Sequence, residues 1–305
     1  MPVIEIEGLT KRYGSVPALS GLELTVPVGS IFGFLGPNGA GKTTTLRILV
    51  GLLRPTAGRA SVFGKDAWSE STDIRSRVGY VSGDVRLYEW MTGAAFLGFC
   101  DRARGGGAAD EIKRLRERLD LNLDRRIRSY SRGMKQKLAL IQSLMHRPPL
   151  LILDEPTVGL DPLVQQTLYT ELRQVAADGR TVLFSSHTLS EVEALCDRVA
   201  IIRSGRLVEC ATIEEMAGRA LRRVEFRLNR DGPGELEFPD GLIAEKGANG
   251  VVTGSWRGRA DRLVTWLATL DLADVTIGAP NLEDLFAAYY QEETQPDRLE
   301  PKRVD

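Results

Sequence analysis

The 305-residue sequence is poor in the side chains that build metal and disulfide sites. Its only two histidines are His146 and His187, which excludes a histidine-rich metal centre. Its three cysteines lack metal-ligand spacing, and so sparse and odd a number fits a reducing compartment. The formal net charge is −1, so no overall basic field indicates a nucleic acid partner.

Long apolar segments are missing as well. No apolar run approaches the length of about 18 residues that a membrane-spanning helix needs. The first residues also lack the charged start and apolar core of a secretory leader. We therefore expect a chain that is soluble by itself and meets a membrane only through a partner. The composition, 43% hydrophobic and 27% charged, is that of a globular protein with one or two domains.

A glycine-rich stretch, GPNGAGKTTT, stands between a strand-like segment and a segment with helical apolar spacing. It matches the pattern G-x-x-x-x-G-K-[ST], in which backbone N–H groups wrap the β- and γ-phosphates of a nucleotide. Lys42 would supply charge to the phosphates, the Thr43 hydroxyl would ligate Mg²⁺, and Thr44 would reach another phosphate. An ordinary glycine turn before a helix is the alternative. The predicted nucleotide-binding residues here are Gly36, Pro37, Asn38, Gly39, Ala40, Gly41, Lys42, Thr43 and Thr44.

A second element, LLILDEP, places Asp154 and Glu155 directly after four apolar residues. Two acids at the end of a buried strand are costly unless they meet a cation or another partner. We therefore expect Asp154 to hold Mg²⁺ through its water shell. Glu155 would face the attacking water as the general base. The alternative is a strand end followed by a helix-capping acid.

The arrangement of apolar segments predicts an α/β protein. Continuous apolar strands alternating with helices are typical of a parallel sheet covered on both faces. After about residue 219, short alternating strands predict a separate small α+β domain. We expect an ATP-binding domain over residues 1–218, an accessory domain over 219–292, and a polar, disordered tail over 293–305.

The segment between the two phosphate-site elements contains YSRGMKQKLAL. Ser131 is placed to cap an amphipathic helix there. The stretch resembles the signature motif of ABC ATPases, with Arg132 and Met134 where the commonest version has glycine and glutamine. Residues 3–215 as a whole resemble the ATP-binding subunit of an ABC transporter, and the variant signature is similar to that of bacterial drug- and antibiotic-resistance exporters. The expected apolar face of the helix is Met134, Leu138, Ile141 and Met145.

This resemblance implies a P-loop ABC-type ATPase fold with a mostly parallel core sheet, an antiparallel N-terminal β subdomain and a helical signature subdomain. It implies ATP and Mg²⁺ as ligands and ATP hydrolysis as the activity. Two subunits would form a head-to-tail dimer, in which Ser131 and Gly133 of one contact the γ-phosphate held by the other. The partner would be a separate transmembrane permease facing residues 85–92. The chain would then lie at the cytoplasmic face of the membrane and power export of a drug, antibiotic, lipid or similar cargo.

The resemblance also assigns residues outside the phosphate loop. Tyr13 would stack on adenine, although local packing at a strand end explains it too. Asp161, in GLDP, would be the acid of the loop by which two ATP sites sense each other. His187 would contact the γ-phosphate and orient water. Gly83 stands where the family carries a metal-contacting glutamine, so Asp84 or water would have to replace that side chain.

Other classes of ATP- and GTP-binding protein explain less of the sequence. A phosphate-loop GTPase would need N-K-x-D, which is absent. A purely regulatory ATP binder would not need both Glu155 and His187. DNA-repair ABC proteins insert a very long coiled coil for which there is no room here. Ribosome-acting relatives usually carry two ATP domains on one chain. A non-transport ABC ATPase acting on ribosomes or nucleic acid is the remaining alternative.

Overall fold

The computed structural model describes residues 2–229, 237–246, 250–283, 285 and 286. The chain divides into two compact units, Met1–Ala211 and Thr212–Asp305. This division precedes the boundary expected after residue 218, because Thr212 caps helix α8 (Ile213–Arg219) through a capping box and α8 belongs to the second unit. The predicted tail at 293–305 lies outside the described residues.

The first unit begins with an antiparallel sheet in the strand order β2-β1-β4-β5. Successive side chains along its strands point alternately to the core and to solvent. In β2, for example, Leu22, Leu24 and Val26 are buried, whereas the residues between them are exposed. The strands are β1 (Pro2–Tyr13), β2 (Val16–Pro27), β4 (Ala57–Val62) and β5 (Lys65–Asp66).

The second sheet of this unit has six strands in the order β10-β9-β3-β8-β7-β6. All pairs from β9 to β6 are parallel, and β3, β7 and β8 are buried along their whole length, as continuous apolar strands predict. The order places the carboxyl ends of β3, β8 and β7 side by side. The strands are β3 (Ile31–Leu35), β6 (Val78–Val81), β7 (Leu150–Asp154), β8 (Thr181–Ser186), β9 (Arg198–Arg203) and β10 (Arg206–Thr212).

Four helices of the first unit lie along the strands of these sheets. Three others belong to the helical region between β6 and β7. The sheet-packing helices are α1 (Lys42–Leu49), α2 (Ser71–Arg77), α6 (Pro162–Ala177) and α7 (Leu189–Leu195). The helical region consists of α3 (Gly93–Ala103), α4 (Ala109–Arg118), a 3₁₀ turn (Ile127–Ser129) and α5 (Arg132–Leu144). Of these, α5 also packs against β6.

The second unit is an antiparallel sheet in the order β12-β13-β11-β14, with helix α9 (Ala260–Leu267) and α8. Its separate apolar core includes Phe226, Trp256 and Leu263. Leu282 and Phe286, which follow the last strand, are buried. The strands are β11 (Leu221–Leu228), β12 (Leu242–Lys246), β13 (Val251–Trp256) and β14 (Leu272–Asn281).

This architecture confirms the predicted α/β class with a mostly parallel core sheet, an antiparallel N-terminal sheet and a helical region. No helix in the described part of the chain combines the length and the apolar character needed to cross a bilayer.

Candidate functional site

The glycine-rich stretch forms the connection between β3 and α1, at the carboxyl end of the core sheet. Two of its glycines are required by the packing of the chain itself. A Cβ at Gly36 would lie 2.4 Å from the carbonyl oxygen of Ile202, and one at Gly41 would lie 2.8 Å from that of Ala18. Gly39 has a φ of +82°, and nothing stands within 4 Å of its Cβ position, whereas Gly41 combines close packing with a φ of +108°. Close backbone packing thus excludes a side chain at Gly36, a left-handed conformation favours glycine at position 39, and both reasons apply at Gly41.

Lys42 is the first residue of α1, and its side chain is only 5% exposed. Its Nζ donates hydrogen bonds to the carbonyl oxygens of Gly36 (2.6 Å) and Pro37 (3.2 Å). It also lies 3.4 Å from Oε1 of Glu155. The lysine therefore holds its cationic charge inside the curve of the loop, next to the acid that follows β7.

Asp154 ends β7 and is completely buried. Its Oδ1 accepts a hydrogen bond from the Ser185 hydroxyl at 2.7 Å. Its Oδ2, however, finds no hydrogen-bond partner within the part of the chain that the structure describes. A buried carboxylate oxygen without a hydrogen-bond partner is costly unless it binds water or a cation. The site therefore fits a divalent cation. Asp154 and the hydroxyl of Thr43 are the residues that would hold Mg²⁺.

Glu155 lies between two basic side chains. Its Oε1 faces Lys42, and its Oε2 is 3.3 Å from Nδ1 of His187, which follows β8. The backbone of Glu155 has a φ of +47°, a conformation that is uncommon for residues other than glycine. Its N–H donates to the Ser185 hydroxyl at 3.0 Å. One serine therefore orders both consecutive acids, and two predicted residues, Lys42 and His187, meet around the carboxylate of Glu155.

A pocket of about 260 Å³ opens beside this cluster. Tyr13 does not line it: the ring is 50% exposed at the end of β1, with Nζ of Lys11 5.5 Å from its centroid. The lining residues are Ala18, Pro37, Asn38, Gly39, Gly41, Lys42, Thr43, Thr44 and Glu155. The structure thus collects most of the predicted loop residues around one concavity and leaves Tyr13 outside its lining.

Ser131, Gly133 and Asp161 also lie outside that lining and have local structural partners. Ser131 caps α5, as the sequence predicts, by accepting a hydrogen bond from the N–H of Met134 at 3.2 Å. Asp161 caps α6 in the same way. A Cβ at Gly133 would lie 2.5 Å from the carbonyl oxygen of Gly159. The start of α5 is therefore packed directly against the GLDP loop of the same chain.

Gly83, where the resemblance expects a glutamine, lies beside the buried acid. A Cβ at this position would stand 3.1 Å from Oδ2 of Asp154. Asp84 points its carboxylate to Arg86 at 2.8 Å, within an exposed loop. Position 83 is thus next to Oδ2 of Asp154, the oxygen that lacks a hydrogen-bond partner, whereas the Asp84 carboxylate forms an ion pair with Arg86.

The loop after Gly83 and the helix α3 that follows it carry exposed aromatic side chains. Tyr88, Trp90 and Phe99 are 53%, 73% and 47% exposed. The ring of Tyr88 lies 6.4 Å from Trp90 and 6.3 Å from both Phe96 and Phe99. We call Tyr88, Trp90 and Phe99 the aromatic patch. An apolar patch of this kind on a protein surface is typical of a docking site.

Two residues that the sequence reasoning missed organise the acids. Ser185 binds both acids, and Gln136, buried in α5, donates from Nε2 to the carbonyl oxygen of Pro156 at 2.9 Å. The sequence offers two signals for these residues, a polar residue at the carboxyl end of a buried strand and an amide within an amphipathic helix. Neither signal predicts the hydrogen-bond partner of the residue, because the partners come from distant parts of the chain.

Known proteins resemble much of this chain. The family model described as ABC transporter matches residues 19–158. The daunorubicin/doxorubicin resistance ATP-binding protein DrrA of Streptomyces peucetius is 40% identical over 218 residues, which are 70% of this chain and 66% of DrrA. The bacitracin transport ATP-binding protein BcrA of Enterococcus faecalis is 36% identical over 247 residues, 80% of this chain and 77% of BcrA. The chain therefore spans less than two thirds of the length of DrrA.

A solved structure supports the same relationship at the level of the fold. The dimeric structure of the ATP-binding cassette MJ0796, in a post-hydrolysis state bound to ADP and Pi, matches with a TM-score of 0.64. The match covers 69% of this chain and 98% of that one at 22% sequence identity. This match concerns the fold, and the family follows from the similarity to BcrA. The chain belongs to the ABC transporter family, as one of its ATP-binding proteins.

Proposed function

We propose that the chain is the ATP-hydrolysing subunit of an ABC exporter, and that ATP-driven closure of two copies powers a separate membrane permease. The observation that carries this proposal is the position of the Glu155 carboxylate, between Lys42 Nζ at 3.4 Å and His187 Nδ1 at 3.3 Å, beside the glycine loop. A base flanked by a phosphate-binding cation and a histidine is the set of groups that phosphoryl transfer to water requires.

In the proposed reaction, the loop N–H groups and Lys42 bind the β- and γ-phosphates of ATP, with Thr44 as a further contact. Mg²⁺, held by Thr43 and Asp154, supplies charge neutralisation on the phosphate oxygens when it is bound. Glu155 accepts a proton from the water that attacks the γ-phosphorus, and the bond to the β-phosphate oxygen breaks to give ADP and phosphate. His187 orients that water and contacts the γ-phosphate.

The remaining predicted residues would act in a dimer. Ser131 lies exposed at the N-terminus of α5, where the helix dipole favours an anion. We propose that Ser131 and Gly133 contact the γ-phosphate held by a second copy, that Asp161 links the two sites, and that the half-exposed ring of Tyr13 stacks on adenine. The dimeric cassette MJ0796 supports this arrangement by analogy of fold.

The aromatic patch is the proposed contact with the permease. Its exposed rings offer the large apolar area that protein interfaces use as anchors. The loop that bears Tyr88 and Trp90 is joined to α5 by an ion pair of 2.5 Å between Glu89 and Lys135. The chain would lie at the cytoplasmic face of the membrane through this contact. The similarity to DrrA, a drug resistance protein, and to BcrA, an antibiotic transport protein, supports export of a drug or antibiotic.

Co-purification tests this proposal against the non-transport alternative. The tagged chain is expressed in its native cell, the membranes are gently solubilised, and the retained proteins are identified. We expect a multi-spanning membrane protein in stoichiometric amount. Recovery from the soluble fraction with ribosomes or nucleic acid, and without a membrane protein, would keep the nucleotide site and refute the transporter assignment.

A further inference from the structure

Gln136 is a polar side chain that is buried in helix α5. It is 5% exposed, and its amide Nε2 donates to the carbonyl oxygen of Pro156 at 2.9 Å. Pro156 is itself buried. Because a buried amide is placed in a core only when its hydrogen bond is made, this contact fixes the position of the carbonyl that follows Glu155 in the chain.

The backbone at Glu155 needs such support. Its φ of +47° is held although a side chain is present, and conformations of this kind persist only where neighbouring groups determine them. On the amino side, the Glu155 N–H is bound by the Ser185 hydroxyl at 3.0 Å. On the carboxyl side, the next carbonyl is bound by Gln136. The first hydrogen bond holds the peptide unit directly before the acid, and the second holds the unit between Pro156 and Thr157, one residue beyond it. The backbone is thus held on both sides of Glu155, which limits the direction in which its carboxylate leaves the chain.

The residue that supplies the second of these bonds lies on the same helix as Ser131 and Gly133. Gly133 packs against the carbonyl of Gly159, so the first turns of α5 contact the segment from Pro156 to Gly159 at two points. A displacement of α5 must therefore move the backbone next to Glu155, because close-packed contacts transmit small shifts.

We propose that Gln136 is a positioning residue for hydrolysis: through the Pro156 carbonyl it holds the Glu155 carboxylate in its reactive orientation and ties that orientation to the N-terminus of α5. This inference rests on the proposed function, since it assumes that Glu155 is the base. Gln136 itself does not contact the nucleotide. Its loss should therefore change the rate of the chemical step and leave the binding of ATP as it is.

The test compares Gln136→Met with Gln165→Met in the purified full chain. Methionine keeps the length of the side chain and removes the donor. Gln165 is the matched control, since its amide also donates to a carbonyl of the same loop, that of Leu160 at 3.3 Å, but further from Glu155 along the chain. Steady-state hydrolysis gives kcat and KM, and titration with Mg-ATP gives Kd.

We expect Gln136→Met to lower kcat by about ten- to a hundredfold with KM and Kd unchanged, as for misplacement of a catalytic group by a fraction of an ångström. Gln165→Met should keep the wild-type kcat. Gln136→Glu, whose ionised carboxylate cannot donate, should show the same loss and serves if the methionine variant does not fold.

An unchanged kcat, an equal fall of kcat and ATP affinity, or the same loss in Gln165→Met would overturn the inference. Failure of the proposed function would be recognised separately. If Glu155→Gln turned over ATP as fast as the wild type, Glu155 would not be the base, whatever the two glutamine variants do.

Discussion

The carbonyl oxygen of Gly159 occupies the space beside Gly133, so that a Cβ at residue 133 would lie 2.5 Å from it. Side chains essentially never approach a backbone oxygen this closely, and the oxygen cannot rotate away. The glycine at this position is therefore required inside the subunit, apart from any contact it makes with a second copy. The same contact joins the helix capped by Ser131 to the loop that contains Asp161.

We predict that Gly133→Ala lowers the free energy of unfolding by about 1–3 kcal/mol, because the added methyl group forces α5 and the Gly159 loop apart. The control is Gly98→Ala in α3, where the Cβ would meet only the end of the Arg102 side chain at 3.4 Å. That variant should be unchanged or more stable by up to about 1 kcal/mol, since alanine favours a helix. Urea unfolding measures both, and equal stability of the two variants would refute the packing argument.

Glu155→Gln should bind ATP and hydrolyse it about 10²–10⁴-fold more slowly, because the amide cannot accept the proton of the attacking water. The variant should accumulate as a dimer in the presence of ATP. Hydrolysis rates and size-exclusion chromatography with and without ATP measure the two effects. Turnover close to that of the wild type would show that another group is the base.

Lys42→Ala should weaken ATP binding by about ten- to a hundredfold, the loss expected for a charge-assisted hydrogen bond. Titration with nucleotide measures the affinity. Lys65→Ala is the control, because Lys65 forms an ion pair with Asp73 at the surface and lines no part of the nucleotide pocket. If Lys42→Ala bound ATP like the wild type, the phosphate-loop assignment would fail.

Acid should destabilise the chain through His146. Burial, with the nearby Arg104, lowers the pKa of His146 to about 4, whereas in the unfolded chain it is about 6.5. Between pH 6.5 and pH 4 the unfolded state binds more protons than the folded state does. The free energy of unfolding therefore falls as the pH falls. Relative to His146→Gln, the wild type should lose at most about 3 kcal/mol from pH 7 to pH 4.

Urea unfolding of the wild type and of His146→Gln at several pH values gives this difference directly. The carboxylates titrate in both proteins, so their contribution cancels in the comparison. A difference in stability between the two proteins that does not change with pH would show that His146 is not held neutral by its surroundings.

Trp90→Ser should weaken the association with the permease about tenfold or more and leave ATP affinity unchanged, because an exposed aromatic anchor is lost outside the nucleotide pocket. Trp68→Ser is the matched control, since Trp68 is also exposed but lies under the guanidinium of Arg54, away from the aromatic patch. Co-purification of the membrane partner measures the effect. Equal recovery of the membrane partner with both variants would refute the aromatic patch as the contact with the permease.

Much of the site could be predicted from local sequence. The glycine loop, Lys42 and the two acids after an apolar strand are adjacent in the chain, and their order specifies how a strand, a loop and a helix follow one another. The helix cap at Ser131 is likewise a local relation between a side chain and an N–H three residues away. By contrast, the partners of Gln136 and Ser185 could not be predicted, because their hydrogen bonds join residues far apart in sequence.

The division between sequence and structure follows from the range of the forces involved. Periodicity, glycine spacing and capping residues determined the elements and the residue types of the site, since these depend on neighbours within a few positions. Only the tertiary structure decided that β3, β8 and β7 are adjacent. This adjacency brings Lys42 and His187 to the carboxylate of Glu155. Strand order is set by packing both faces of the whole sheet, a sum over many distant contacts that no local pattern contains.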